Sequence, residues 1–168
     1  MTSLLQRVCR SLFGSARALP MPKYQGRPDG LHELTEDYTL EVAVAGIKLI
    51  ITVRKGFAFD GASIPPLIWP VLGPPMTPPR VAAALIHDWL HKSQVVSKWA
   101  ADLIYAKVQA MCNIPYPSIV IEWIALVFFS SKYWRENAQG DILGTREYGL
   151  VDFRAIPPEQ TKEREQKT

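Results

Sequence analysis

Cysteine is scarce in this chain of 168 residues, which has only Cys9 and Cys112, in unrelated surroundings. Two such residues predict no disulfide framework, and the lack of a CxxC pair excludes zinc-finger and thioredoxin types of site. A P-loop, the pattern GxGxxG and the pattern HExxH are missing as well. Standard enzyme motifs therefore give no support to a catalytic function for this chain.

Long apolar runs are missing too. The most apolar segment, IVIEWIALVFF at residues 119–129, is short and is interrupted by Glu122, whereas a membrane-spanning helix needs about 20 apolar residues. We therefore expect a buried or interfacial helix there, in preference to a single transmembrane pass. Residues 1–19 likewise lack the apolar run of about 7–15 residues that a secretory signal contains.

Neither sign of charge dominates, since 19 lysines and arginines stand against 16 acidic residues and the formal net charge is +3. A nucleic-acid-binding protein would need a clustered basic face, so no nucleic-acid partner is predicted. The basic excess is local, because the amphipathic residues 1–19 include Arg7, Arg10 and Arg17. We interpret this segment as a terminal helix or frayed arm. Packing on its own domain and peripheral contact with a membrane surface both fit it, and an organelle transit peptide is the alternative.

The composition predicts one globular domain. Hydrophobic residues make up 48% of the chain, which is enough for a real core, and the length suits a single domain. We place a basic amphipathic arm and linker at residues 1–24, a single globular domain at 25–157 and a disordered polar tail at 158–168. The arm and the tail are expected to be separable from the core.

Strand patterns and helix patterns occupy successive parts of the domain. Short runs rich in strand-forming residues come first, at residues 38–45, 48–54 and 57–59. Three helical patterns follow a proline-rich segment, at residues 78–91, 97–112 and 118–137. Thr77 is expected to cap the first of these helices with its side chain, and Pro78 to occupy the first helical position. Short antiparallel strands followed by three helices predict an α+β fold.

Five ionisable residues stand among the most apolar segments: Asp60, His87, Asp88, His91 and Asp102. On a helix, His87, Asp88 and His91 fall within an arc of about 100°, and the two histidines are spaced so that both rings reach one point. Asp60 follows a strand, and Asp102 belongs to the second helix. Because an unpaired buried charge is costly, these residues predict mutual pairing, a metal site or a catalytic site.

Simpler interpretations exist for each of these residues. Asp60 before Gly-Ala-Ser suits an Asx-turn, and Ser63 suits a helix cap better than a nucleophile. His87 and Asp102 alone would make a structural pair between two helices. The adjacent His-Asp dipeptide is also typical of HD phosphohydrolases, but those are all-helical, and here the one upstream histidine precedes the strands.

A family resemblance rests on three spaced segments, FDGASIPPLIWP, AALIHDWLH and AADLIYAKVQAMCNIP. Together with the closing apolar helix they resemble domain of unknown function 1353 over roughly residues 57–134. That family occurs mostly in bacteriophages and prophages, so the resemblance implies a phage origin and a location in the host cytoplasm or the virion, without a settled activity. Because the family usually has tyrosine or a similar residue where this chain has His91, the resemblance moves the expected site toward Asp60, His87, Asp88 and Asp102.

Two classes of function fit these observations. In the first, the protein is a small hydrolase in which His87, Asp60, Asp102 and Asp88 are catalytic, with His87 as general base or metal ligand. Its cofactor would be a divalent metal such as zinc, held by His87, His91 and Asp60, and the phage setting favours amide or peptide bonds of the cell envelope as substrate. In the second, the protein is a non-catalytic accessory, virion or host-interaction protein with a phage or host protein as partner. The same residues then form a buried structural network.

Overall fold

Strands and helices occupy separate stretches of the chain in the computed structural model, which describes residues 4–14, 16–17, 19–44, 47–61, 77–140 and 153–156. The described elements in chain order are α1 (Leu4–Phe13), β1 (Tyr24–Gly26), β2 (His32–Leu34), β3 (Tyr38–Val44), β4 (Ile47–Val53), β5 (Ala58–Phe59), α2 (Pro78–Ser93), α3 (Lys98–Met111), α4 (Tyr116–Phe129), α5 (Ser131–Gly140) and β6 (Phe153–Ile156). Short antiparallel strands followed by helices confirm the predicted α+β class.

The strands form two small antiparallel sheets, ordered β1-β2-β5 and β3-β4-β6. In the second sheet, β3 and β4 pair from Tyr38 opposite Val53 to Val44 opposite Ile47. Alternate side chains of both strands are buried, because successive residues of a strand point to opposite faces of the sheet. This alternation was the sequence signal for the hairpin.

The closing strand β6 has no counterpart in the sequence prediction. It pairs antiparallel with β4, with Phe153 opposite Ile51 and Ile156 opposite Lys48. A run of four residues is too short for its periodicity to be distinguished from a loop. Its hydrogen bonds come from a strand about a hundred residues earlier in the chain, so the local pattern does not contain the information that defines it.

Helix α2 is the central element of the helical layer, since every residue from Arg80 to His91 is buried. The predicted start at Pro78 is confirmed, but the predicted side-chain cap is wrong. The Thr77 hydroxyl accepts a hydrogen bond of 3.3 Å from the Arg80 guanidinium. Its partner is thus a side chain, where a helix cap would accept from a backbone N–H group. At the start of α3, by contrast, Ser97 does cap the helix by accepting from the Ala100 N–H at 3.3 Å.

The single helix predicted over residues 118–137 is wrong, because α4 and α5 are separated at Ser130. Ser130 is buried, and its hydroxyl donates to the Leu126 carbonyl at 2.7 Å. A serine that bonds back to the carbonyl four residues earlier tends to bend a helix. Among the described helices, none has the length and apolar character needed to cross a membrane.

Helix α1 packs on the helical layer. Cys9 and Phe13 are buried in a small cluster with residues of α3 and α4, and the Tyr116 hydroxyl donates to the Gly14 carbonyl at 2.7 Å. Removal of the arm would break these contacts and so lower the stability of the domain. The domain boundary predicted at residue 24 stays a prediction. The predicted polar tail at 158–168 and the expected cap at Ser63 lie outside the described residues.

Candidate functional site

Two histidines from α2 meet one carboxylate from α3. The Nε2 atom of His87 lies 3.1 Å from Oδ1 of Asp102, and the Nε2 atom of His91 lies 3.3 Å from the same oxygen. His87 and His91 are one helical turn apart, so their rings lie side by side, with centroids 4.0 Å apart and planes tilted by 42°. All three residues are buried.

Lys98 forms an ion pair with the other carboxylate oxygen of Asp102. Its ammonium group donates to Oδ2 at 2.7 Å and to the carbonyls of Leu126 and Val127 on α4 at 3.2 and 3.4 Å. The carboxylate therefore connects α2, α3 and, through the lysine, α4. Its orientation is fixed by groups on both of its oxygens.

The protonation states follow from burial and from these hydrogen bonds. Burial lowers the pKa of His87 to about 4, against the opposing effect of the hydrogen bond with Asp102. Burial alone would raise the pKa of Asp102, but the hydrogen bonds with His87, His91 and Lys98 bring it below its usual range. At neutral pH the site thus contains a neutral His87 beside an ionised Asp102.

This group has the composition of a metal site. The candidate ligand atoms of His87, His91 and Asp102 all lie within 4.8 Å of one another, and two imidazoles with one carboxylate suit zinc or iron. Metal ligation requires neutral imidazole and ionised carboxylate, which are the states favoured here for His87 and Asp102. Without a metal, the same contacts would be two N–H donors on one carboxylate oxygen.

A cavity of about 160 Å³ opens beside the two histidines. Its walls combine both imidazoles with two carboxylic acids, a lysine and a phenol: Leu31, Asp60, His87, Asp88, His91, Lys92, Ser130 and Tyr133. Asp102 is absent from this lining and thus lies behind the histidines. The two imidazoles thus border the cavity, whereas the carboxylate that their Nε2 atoms share does not.

Asp88 and Asp60 meet at this cavity. The Asp60 N–H donates to Oδ2 of the buried Asp88 at 3.3 Å. Burial and the neighbouring Asp60 carboxylate raise the pKa of Asp88 well above its usual range. Asp88 is therefore a carboxyl group whose protonated form is favoured by its surroundings, beside a second carboxyl group that is exposed.

The structure brings together part of the predicted constellation. His87 pairs with Asp102 as expected, and His91 belongs to the same group. Asp60 lines the same cavity, but its backbone N–H bonds to Asp88. The carboxylate among the three candidate metal ligands is therefore Asp102, whereas Asp60 was predicted from the sequence. Lys98 was not anticipated, although its i, i+4 spacing to Asp102 on a helix was the available signal.

A second buried network adjoins the site and was missed from the sequence. Glu122 on α4 accepts from the Arg80 guanidinium at 3.0–3.1 Å, from the Tyr105 hydroxyl at 2.8 Å and from the Gln109 amide. The Tyr105 ring lies 5.0 Å from the ring of His87, centroid to centroid. Glu122 inside an apolar run was the signal, since a buried carboxylate requires donors.

The fold and this site define a small α+β domain with a buried His-His-Asp group beside a cavity. A family model matches residues 32–126, and the chain belongs to that family, described as "Protein of unknown function (DUF1353)". The resemblance drawn from the sequence is thereby confirmed, while phage origin stays a prediction. No curated protein and no solved structure matches the chain significantly.

Proposed function

We propose that the protein is a metal-assisted hydrolase in which His87, His91 and Asp102 hold a divalent cation and Asp88 transfers a proton. The observation that carries this proposal is the convergence of three candidate ligand atoms beside a cavity that also contains two carboxylic acids. A helix pairing alone would require one histidine and one carboxylate, and it would not require a cavity beside the histidines.

The roles of the residues follow from their surroundings. When bound, a divalent cation would lower the pKa of a water molecule and polarise the bond to be cleaved. His87 and His91 would offer Nε2 atoms on adjacent turns of a rigid, buried helix. Lys98, at 2.7 Å from Oδ2 of Asp102, would hold that carboxylate in position as an outer partner, which is how ligating carboxylates are commonly oriented.

Asp88 suits the role of a general acid. A carboxyl group whose surroundings raise its pKa is typical of general acids in catalysis. Support here comes from the burial of Asp88 and from the proximity of the exposed Asp60, both of which favour the protonated form of Asp88. Asp88 would donate a proton to the leaving group.

The cavity limits the substrate. A volume of about 160 Å³ is smaller than the ~300–1,000 Å³ of pockets that enclose a whole small-molecule ligand. Only the scissile group and its immediate neighbours would enter. An extended amide or peptide substrate, such as a cell-envelope polymer, fits this limit because most of it would remain outside.

A non-catalytic function is the second candidate, and one observation favours it. Asp102 is already satisfied by His87, His91 and Lys98, so the group is complete as a hydrogen-bond network without any metal. In that case the protein would be an accessory or interaction protein, and the network would fix the packing of α2, α3 and α4.

Metal binding distinguishes the two candidates. The purified protein, stripped with a chelator, is titrated with Zn²⁺ by calorimetry, beside the double variant His87→Gln/His91→Gln. His32→Gln is the matched control, because His32 lies on β2 outside the group. We expect one zinc site in the wild type and in His32→Gln and none in the double variant. At a hundredfold excess over Kd, zinc should stabilise the folded wild type by about 2.7 kcal/mol.

Catalysis is then tested with Asp88→Asn. This variant should bind zinc like the wild type and lose hydrolysis of a panel of amide and peptide substrates, because Asn cannot donate the proton. A wild type that binds no divalent metal and melts at the same temperature with and without it would refute the proposal in favour of the structural network.

A further inference from the structure

Helix α1 has two apolar sides with different surroundings. One side, with Cys9 and Phe13, is buried against the protein's own helices. The adjacent side exposes Leu4, Val8 and Leu12, whose exposed fractions are 80%, 46% and 54%. At 100° per residue these three lie within about 80° of one another, so they form one continuous stripe along the helix. We call Leu4, Val8 and Leu12 the outer stripe.

The helix that carries the outer stripe is held in a fixed position. The Phe13 ring meets the Trp123 ring of α4 edge to face, with centroids 5.9 Å apart, and the Tyr116 hydroxyl holds the Gly14 carbonyl. An apolar stripe on a helix that is already folded and anchored can bind a partner without the entropy cost of ordering the segment.

The charge around the outer stripe has one sign. The sequence has no acidic residue before Asp29. Arg7, about 60° from Leu4 around the helix, and Arg10 are both exposed. Among the residues that the structure describes, neither arginine has an ion-pair partner. The partner of this helix should therefore offer an apolar region bordered by negative charge.

We propose that α1 binds the surface of a lipid bilayer that contains anionic lipids, with the outer stripe among the acyl chains and Arg7 and Arg10 at the lipid phosphates. Exposed apolar residues bordered by arginine on one helix are typical of helices that lie in the membrane interface. A second copy of the chain is a poorer occupant, because a two-fold contact through the outer stripe would bring like-charged arginines together.

The test is co-sedimentation of the full chain with vesicles of phosphatidylcholine, with and without phosphatidylglycerol. We expect binding to the anionic vesicles and a decrease as salt is raised. Val8→Ser/Leu12→Ser should reduce the partition coefficient by about tenfold or more, because apolar surface no longer enters the bilayer. Arg7→Gln/Arg10→Gln should remove the preference for phosphatidylglycerol. Ile47→Ser is the matched control, since Ile47 is an exposed apolar residue of β4, and it should bind like the wild type.

Each contrary result overturns the proposal. A wild type that binds neither kind of vesicle does so directly. Equal binding of Val8→Ser/Leu12→Ser and the wild type would place the contact elsewhere on the molecule. If the wild type dimerises, loses dimerisation in that double variant and ignores vesicles, the outer stripe is a protein–protein contact. Circular dichroism of every variant establishes that lost binding is not lost folding.

Discussion

The buried carboxylate of Glu122 offers a sharp test of the energetics behind the site. Glu122 and Arg80 have side-chain exposures of 1% and 9% and form an ion pair of 3.0 Å. We consider Glu122→Gln, which keeps the shape of the side chain and removes its charge. The amide can still be accommodated by the Tyr105 hydroxyl, which can rotate to accept, and by the Gln109 amide, which can turn over. The Arg80 guanidinium loses its counter-charge.

The expected cost is therefore that of an unpaired buried cation. Removing one partner of a buried ion pair destabilises a protein by about 3–5 kcal/mol. For a domain of this size that corresponds to a melting temperature lower by roughly 6–20 °C. The double variant Arg80→Met/Glu122→Gln should regain much of the loss, since no charge is then left buried, whereas Arg80→Met alone should be destabilised like Glu122→Gln.

The assay is urea unfolding followed by circular dichroism at neutral pH, with Glu41→Gln as the matched control. Glu41 pairs with Lys48 at 2.7 Å, but both side chains are more than a third exposed, so this change should cost less than about 1 kcal/mol. If Glu122→Gln costs no more stability than Glu41→Gln, the network does not hold α2 and α4 in place.

Two further outcomes follow from the same contacts. The pKa of His87 is lowered to about 4 from 6.5, so the unfolded chain binds more protons than the folded chain between these pH values. The metal-free protein should therefore gain up to about 3 kcal/mol of stability as pH rises from 4 to 6.5. His87→Gln should flatten this dependence of stability on pH in chelator-treated samples, and an unchanged slope would count against a neutral buried His87. Removal of residues 1–19 should cost about 3–5 kcal/mol in urea unfolding, because Phe13 leaves the core, while an unchanged unfolding midpoint would mean that the arm folds independently of the domain.

The features that the sequence predicted correctly depend on the geometry of a single strand or a single helix. The alternation of Tyr38, Leu40 and Val42 predicted a strand because side chains of a strand alternate between faces. The spacing of His87 and His91 predicted adjacent rings because a helix repeats every 3.6 residues. These relations depend on local geometry alone, and both are present in the structure.

What could not be read depends on which elements meet. Asp60 and Asp102 were equivalent candidates as partners of His87, and only the packing of α3 on α2 gives that position to Asp102. The Thr77 side chain was predicted to cap α2, but its oxygen accepts from the Arg80 guanidinium. The helix predicted over residues 118–137 is interrupted at Ser130, whose hydroxyl donates to the Leu126 carbonyl. In each case a polar group had several partners within reach, and the sequence pattern does not show which of them it takes.

The polar residues of α2 explain how a helix buried on all sides is held in one orientation. Apolar contacts are non-directional, so they do not by themselves define the rotation of such a helix about its axis. Arg80 meets Glu122 on α4, His87 meets Asp102 on α3, and Asp88 accepts from the N–H group that follows β5. A rotation by one residue, about 100°, would break all three contacts.

The need to fix the orientation of α2 does not explain why an aspartate is buried at position 88. The contacts of Arg80 and His87 join opposite charges or a donor with an acceptor, and each is favourable for folding. Asp88 is a buried carboxyl group beside a second carboxyl group, Asp60, and both line the cavity. That arrangement opposes ionisation of Asp88 and adds nothing that an asparagine would not provide to the Asp60 N–H. Unfavourable burial of an acid next to another acid is typical of functional sites, which favours a proton-transfer role over a structural one.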